Sequence, residues 1–262
     1  MKTFITLSFL LVSCCYLNVV AQEHPPVQSS LKLEKTDEEK FDERVRNARD
    51  AYKLKEGTNP VREPQVITTG LLAPSVQDRA DHEKFLSQAD TGLIRLLPRE
   101  VYDWRVYKTP QQIELRGGGA YYSFFYLAHE YGFGSDIELD HDFLSTGLAG
   151  ADFGMLTDLG NVPLTDITIG DSRVSFMATY SPPNNEPGAR LEQERVRKGF
   201  EVSGMTYRRS LPLSIGSTYL VRSIVYRRSD LLVAFTVTRK NDDGSVIVAW
   251  KKLKTYQVPE LN

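Results

Sequence analysis

The last third of the chain is written in period two, and this pattern limits the available folds more than any other feature. Three runs, "STYLVRSIVY" (217–226), "LLVAFTVT" (231–238) and "SVIVAWKKLKTY" (245–256), are rich in β-branched and aromatic residues. Residues two apart on a strand share a face, so Leu231, Val233, Phe235 and Val237 line one side, as do Val246, Val248 and Trp250. The connections "RRSD" and "KNDDG" are turns, the second carrying the Asp-Gly hairpin signal. Short connections join antiparallel strands, and a shared apolar face needs a second layer to bury it. The expected fold is mainly β, an antiparallel sandwich or open barrel with an N-terminal helical extension and one late helix; α+β is the alternative.

The rest of the chain fits around that meander. "AYYSFFYLA" (120–128) is aromatic and extended, and reads as a strand buried on both faces; "DSRVSFMATY" (171–180) reads as another. Gly117, Gly118 and Gly119 allow a bend before the first. They are not a phosphate loop, since no Gly-Lys-Ser/Thr follows. "NNEPGARLEQERVRKGF" (184–200) is the late helix, with Asn185 as cap and Pro187 in its first turn. "PSVQDRADHEKFLSQAD" (74–90) has Ser75 and Asp78 in capping-box positions and reads as a helix of about three turns with His82 exposed on it. Leu93, Leu96 and Leu97 are suited to docking on a core, and Pro98 and Pro110 stop regular structure.

Residues 1–21 read as a signal peptide. Lys2 precedes the mostly apolar run Phe4–Val20, and Val19 and Ala21 are small enough for cleavage before Gln22. Two rivals are a transmembrane anchor, weakened by Thr6, Ser8, Ser13 and Asn18, and a lipoprotein box "LVSC" with lipid on Cys14. Residues 22–58 are a charged linker and an amphipathic helix: Thr36 and Glu39 stand in capping-box positions, and Phe41, Val45, Ala48 and Tyr52 recur at helical spacing. Residues 59–262 form a single globular domain, β-rich from 117. The expected location is secreted or periplasmic, with no transmembrane span in the mature chain.

Composition excludes several chemistries. Both cysteines, Cys14 and Cys15, lie in the leader, so the mature chain has no thiol nucleophile, thiolate ligand or disulfide. The net charge of −2 argues against nucleic acid as a partner. Charge is segregated, however. Gly117 to Ser172 has nine carboxylates and no Lys or Arg, whereas Arg173 to the end has fifteen basic and eight acidic residues. The two segments are expected to lie side by side and neutralise each other; the alternative is an acidic surface for a cation or a basic partner.

The acidic segment holds the candidate sites. In "HEYGFGSDIELDHD" (129–142), Asp136, Glu138, Asp140 and Asp142 alternate with Ile137, Leu139, His141 and Phe143. Period two predicts a strand with four carboxylates on a wet face and His141 on the apolar one. Those four are weak calcium candidates, since same-face neighbours stand about 7 Å apart and calcium wants six to eight oxygens at about 2.3–2.6 Å. Arg208, Arg209, Arg227 and Arg228 could offset the charge as readily as a metal. The EF-hand pattern fails at His141 and Gly147, H-E-x-x-H fails at Phe133, and no G-x-S-x-G elbow occurs. The loop "TGLAGADFGMLTDLGNVPLTD" (146–166) is rich in Gly and Asp, as a pocket or a set of turns would be. The candidate ligand-binding residues are Tyr122, His129, Glu130, Asp152 and Asp158, with the site where His129 and Glu130 meet that loop. The expected function is an exported, non-catalytic module binding a ligand or protein partner. Alternatives are a carboxylate-dependent hydrolase of glycans or other polymers, and a structural cell-surface component.

Overall fold

A computed structural model of the chain describes residues 69–109, 113, 115–132 and 134–262. The leader, the lipid-box alternative and the helix of the charged linker lie outside the described residues. Helices α1 (Val76–Asp81) and α2 (Glu83–Leu86) come first, then strand β1 (Thr91–Leu96) and helices α3 (Arg99–Tyr102) and α4 (Trp104–Tyr107). Next are β2 (Tyr121–Tyr122), β3 (Ile137–Asp140), β4 (Phe143–Ser145) and β5 (Phe153–Asp158). Helices α5 (Ser175–Thr179) and α6 (Glu186–Lys198) precede the short strands β6 (Phe200–Val202), β7 (Met205–Tyr207) and β8 (Ser210–Pro212). The chain ends in β9 (Thr218–Val225), β10 (Ser229–Lys240) and β11 (Val246–Thr255).

Among the described residues the fold is mainly β, with 34% strand against 24% helix, and sandwich-like with no closed barrel. Its three sheets are antiparallel: five strands in the order β1-β11-β10-β9-β5, four in the order β2-β3-β4-β8, and the β6-β7 pair. Leu231, Val233, Phe235, Val237, Val246, Val248 and Trp250 do share one face, where they pack against Tyr122, Phe124, Ile137, Leu139 and Leu144 of the four-stranded side. The other face of the large sheet buries Met155, Leu220, Ile224, Leu232 and Ile247 against Val174, Met177, Ala189 and Val196 around the two later helices. Strand β9 sits at the middle of these three layers, and all eight of its residues are buried.

Three expectations are corrected. The strand expected over 120–128 stops at Tyr122. The backbone N–H groups of Phe124 and Phe125 donate to the Asp136 carboxylate and Ser123 pairs with Ala128, so the chain doubles back in a tight turn. The strand expected over 171–180 is a turn and a short helix: Val174 and Met177, three apart, are fully buried, and this helical spacing overrides the alternation. The helix opened by Ser75 has its capping box but breaks at His82, which is half-buried. The His82 ring lies 2.8 Å from the Asp78 carbonyl, and its backbone N–H turns to Arg79 O. The late helix is as expected: the Asn185 side chain accepts from Gly188 N at 2.9 Å and Pro187 lies in the first turn.

Candidate functional site

The acidic stretch is not a wet strand face. Strand β3 ends at Asp140, and His141 and Asp142 are the two central residues of a hairpin turn, both with positive φ (48° and 60°). His141 is therefore a turn residue, not a core histidine. Asp136, Glu138 and Asp140 are buried; only Asp142 is exposed, and it pairs with Lys240 at 2.6 Å. Each buried carboxylate has its own partners. Asp136 accepts from Phe124 N at 2.6 Å and from the Ser223 hydroxyl of β9 at 2.6 Å, joining the two sheets. Glu138 accepts from Arg99 Nη1 at 2.7 Å. Asp140 accepts from the Tyr107 hydroxyl at 2.7 Å and lies 2.7 Å from His141 Nδ1.

Arg99 is the centre of this cluster. Its Nε also donates to Asp103 at 3.1 Å, and its guanidinium lies 5.3 Å from the Tyr121 ring centre. Burial opposes the Arg99 charge, but Glu138, Tyr121, Asp140 and Asp103 hold its pKa above the usual range. Burial raises the Glu138 carboxyl, and Asp140 adds to the rise against the pull of Arg99. Of the four arginines expected to neutralise the acidic segment, Arg209 reaches the field of Glu138 and Arg228 that of Asp152. The main partner is Arg99, which lies in neither the acidic nor the basic segment. Among the described residues, one trio could hold a metal ion: Glu100, Asp140 and His141, with ligand atoms within 4.8 Å of one another. Asp140 is the only one of the four calcium candidates in it, and Glu100 already accepts from His141 N at 3.0 Å.

The five ligand-binding candidates do not converge. Tyr122 is buried, edge-on to Phe124 and His129. His129 Nε2 lies 2.8 Å from the Arg95 carbonyl, and burial depresses its pKa. Glu130 is half-buried. Asp158 is the exposed last residue of β5, and its carboxylate accepts from Gly160 N at 2.7 Å. Asp152 lines a cleft of about 440 Å³ that it shares with Glu186, Tyr226, Arg227 and Arg228. It accepts from Tyr226 N at 3.0 Å, and burial pushes its pKa up to about 6.

The glycine-rich loop borders a cleft, with partners other than the expected ones. Gly147, Leu148, Ala149 and Gly150 make one wall of a cleft of about 330 Å³, with Phe153 and Gly154 beside them. The loop packs backbone to backbone: a Cβ on Gly147, where φ is +65°, would stand 2.8 Å from Gly154 N, and one on Gly154 2.8 Å from Arg222 O. Helix α6 supplies the opposite wall through Arg190, Gln193, Glu194 and Arg197, which recur three, four and seven residues apart on one face. Arg190 Nη1 donates to Gly150 O at 2.7 Å, and Gln193 Nε2 to Gly150 O at 3.0 Å and Asp152 O at 2.7 Å, fastening the helix to the loop. Arg209 completes the lining. Its backbone N–H donates to Val196 O at 2.9 Å and its Nε to Thr146 O at 3.3 Å. The single lining carboxylate, Glu194, pairs with Arg197 at 2.8 Å, and its pKa is pulled down to about 2 by hydrogen bonds from Arg197 and Lys198. Sequence reasoning missed Arg190 and Arg197, although the basic face of α6 was readable in "ARLEQERVRK", and it assigned Arg209 to the acidic strand instead.

Compared with protein-family models, with curated proteins and with solved structures, the chain has no significant match in any of the three. The fold and the cleft define a β-sandwich with helices on its outer face, carrying an arginine-lined pocket at the junction of loop and helix. Among the described residues, no helix is long and apolar enough to cross a membrane.

Proposed function

We propose that the protein is a non-catalytic binding module, acting outside the cytoplasm, that takes a small organic anion in the cleft between residues 147–154 and α6. The observation that carries this reading is the lining: Arg190, Arg197 and Arg209 converge on one cleft beside the glycine backbone of the loop, Arg190 pairing with Glu186 and Arg197 with Glu194 at its rim. A volume of about 330 Å³ suits a molecule bearing a phosphate or carboxylate group rather than a polymer. The extracytoplasmic placement rests on the leader-like residues 1–21.

The test is thermal unfolding in phosphate and in citrate at matched ionic strength, with the wild-type chain and an Arg190→Gln/Arg209→Gln variant. A ligand bound only by the folded state adds about 2.7 kcal/mol of stability at a hundredfold excess over its dissociation constant. The expected result is a saturable rise in the midpoint that the variant loses. An equal rise in both chains is a general salt effect and refutes the site.

One observation favours a hydrolase instead. Asp152, with its pKa near 6, shares its cleft with a second carboxylate, Glu186, as an acid/base pair would. Turnover of a polysaccharide that Asp152→Asn abolishes would establish that reading over the first.

A further inference from the structure

Nine large apolar side chains are well exposed among the described residues, and four of them fall between positions 125 and 131: Phe125 (45%), Tyr126 (48%), Leu127 (60%) and Tyr131 (37%). The first three are consecutive and crown the turn that replaced the expected strand. The base of this turn is rigid. Ser123 and Ala128 pair at 2.8 and 3.3 Å, Tyr126 N donates to Ser123 Oγ at 3.2 Å, and Phe124 N is held by the buried Asp136. Phe124 anchors it from below, packed against Phe235 and Trp250. Leu127 takes a left-handed conformation (φ 56°) that side chains with a Cβ disfavour, so the fold holds the turn in this shape against local preference. Two arginines stand near these rings. Arg228 Nη1 and the Tyr126 ring both stand within about 3 Å of where a Gly134 Cβ would sit, and Arg116 lies 5.2 Å from the Tyr131 ring centre; Glu130 is the carboxylate nearest in sequence.

We propose that the turn 124–127 is a membrane-docking tip. It seats Phe125, Tyr126 and Leu127 in the interfacial layer of a bilayer, with Arg116 and Arg228 level with anionic headgroups. Three adjacent exposed apolar side chains on a pre-shaped turn make the kind of contiguous patch that marks an interaction surface. A knob of this kind needs no matching socket when its partner is fluid, and aromatic rings favour the level where acyl chains meet headgroups. The flanking arginines select an anionic surface, and salt screens their contribution. The inference is independent of the arginine-lined cleft.

The experiment uses the full chain with Cys14→Ser and Cys15→Ser, so that one introduced cysteine carries a polarity-sensitive fluorophore. One version is labelled at Phe125→Cys. A second is labelled at Ile215→Cys, an exposed position that precedes β9 whereas Arg228 follows it, at the far end of a strand about 26 Å long. Each is titrated with phosphatidylcholine vesicles, with and without phosphatidylserine. The expected result is a blue shift at 125 with the anionic vesicles, reversed by high salt, and none at 215. Cosedimentation of a Tyr126→Ser/Leu127→Ser variant that keeps the wild-type circular dichroism should fall by roughly tenfold or more. No shift at 125 on either vesicle overturns the proposal. So do equal shifts at both positions, undiminished binding by the serine variant, or a shift at 125 that grows with protein concentration in the absence of lipid.

Discussion

Replacing Asp136 by asparagine should change how stability depends on pH, by an amount the structure sets. Asp136 is fully buried, and burial lifts its carboxyl from 3.8 to about 6 even though Ser223, Phe124, Phe125 and Ser123 all donate to it. A folded pKa above the unfolded one means that the native state holds the proton more tightly. The stabilisation is fully present below about pH 4 and is lost as pH rises through about 6. The difference of about 2 pH units converts, at 1.36 kcal/mol per unit, to on the order of 3 kcal/mol. In the Asp136→Asn variant the amide oxygen can still accept from Phe124 N, and the NH2 group faces the Ser223 hydroxyl, which can rotate to accept. The variant therefore keeps the cross-sheet link without the ionisation. Urea unfolding of both chains between about pH 4 and 7 measures this directly, because every other group titrates alike in the two and cancels in the difference. Wild type should lose about 3 kcal/mol relative to the variant across that range. Parallel stability curves would refute the reasoning, since they would mean that Asp136 titrates like a solvated carboxylate.

Arg99→Met should destabilise the fold by about 3–5 kcal/mol, because it leaves Glu138, Asp140 and Asp103 buried without their cation. Adding Glu138→Gln should recover part of that loss in denaturant titrations; a single-variant cost under about 1 kcal/mol would contradict the network. Gly154→Ala should cost about 1–3 kcal/mol, because the added carbon meets the Arg222 carbonyl on β9 at 2.8 Å and that strand has no room to retreat. An unchanged melting temperature would show that β5 lies farther from β9 than described.

The sequence was legible where one element decides its own environment. The meander needs only its period-two pattern, and its strands, shared face and Asp-Gly turn all stand where that pattern puts them. Helix α6 needs only Asn185 and Pro187, and the capping box of α1 only Ser75 and Asp78. The candidate site was not legible, because its properties come from partners distant in sequence. Alternating carboxylates read as a wet face unless a cation is known to lie beneath them. Glu138 is buried because Arg99, thirty-nine residues earlier, is folded under it. Likewise "AYYSFFYLA" reads as a strand until Asp136 captures the amides of Phe124 and Phe125 from twelve and eleven residues away. The glycines of 147–154 read as turns at least as readily as a pocket; they border a cleft, and the residues facing it come from α6 and from Arg209.

The buried polar groups also bear on how a chain with no cysteine after Cys15 keeps its layers in register. Apolar contacts between two sheets are tolerant of sliding, whereas a buried ion or carboxylate is costly unless its partners are correctly placed. Three such links tie the elements of this fold together. Asp136 joins the four-stranded side to Ser223 of β9, Arg99 joins α3 to β3 through Glu138, and Arg222 joins β9 to Asp230 of β10 and to the Met177 carbonyl of α5. The arginine pair resembles an ordinary salt bridge, yet burial still raises the Asp230 carboxyl against the pull of Arg222, so its net gain in stability is small. Its larger effect is selective: a shift of β10 against β9 would strand both charges in an apolar layer. The same placement fixes the cleft and the aromatic turn. Arg222 O backs Gly154 on the wall of the arginine-lined cleft, and Asp136 holds the base of the aromatic turn. Register errors that the core alone would tolerate would thus disrupt the cleft and the turn together.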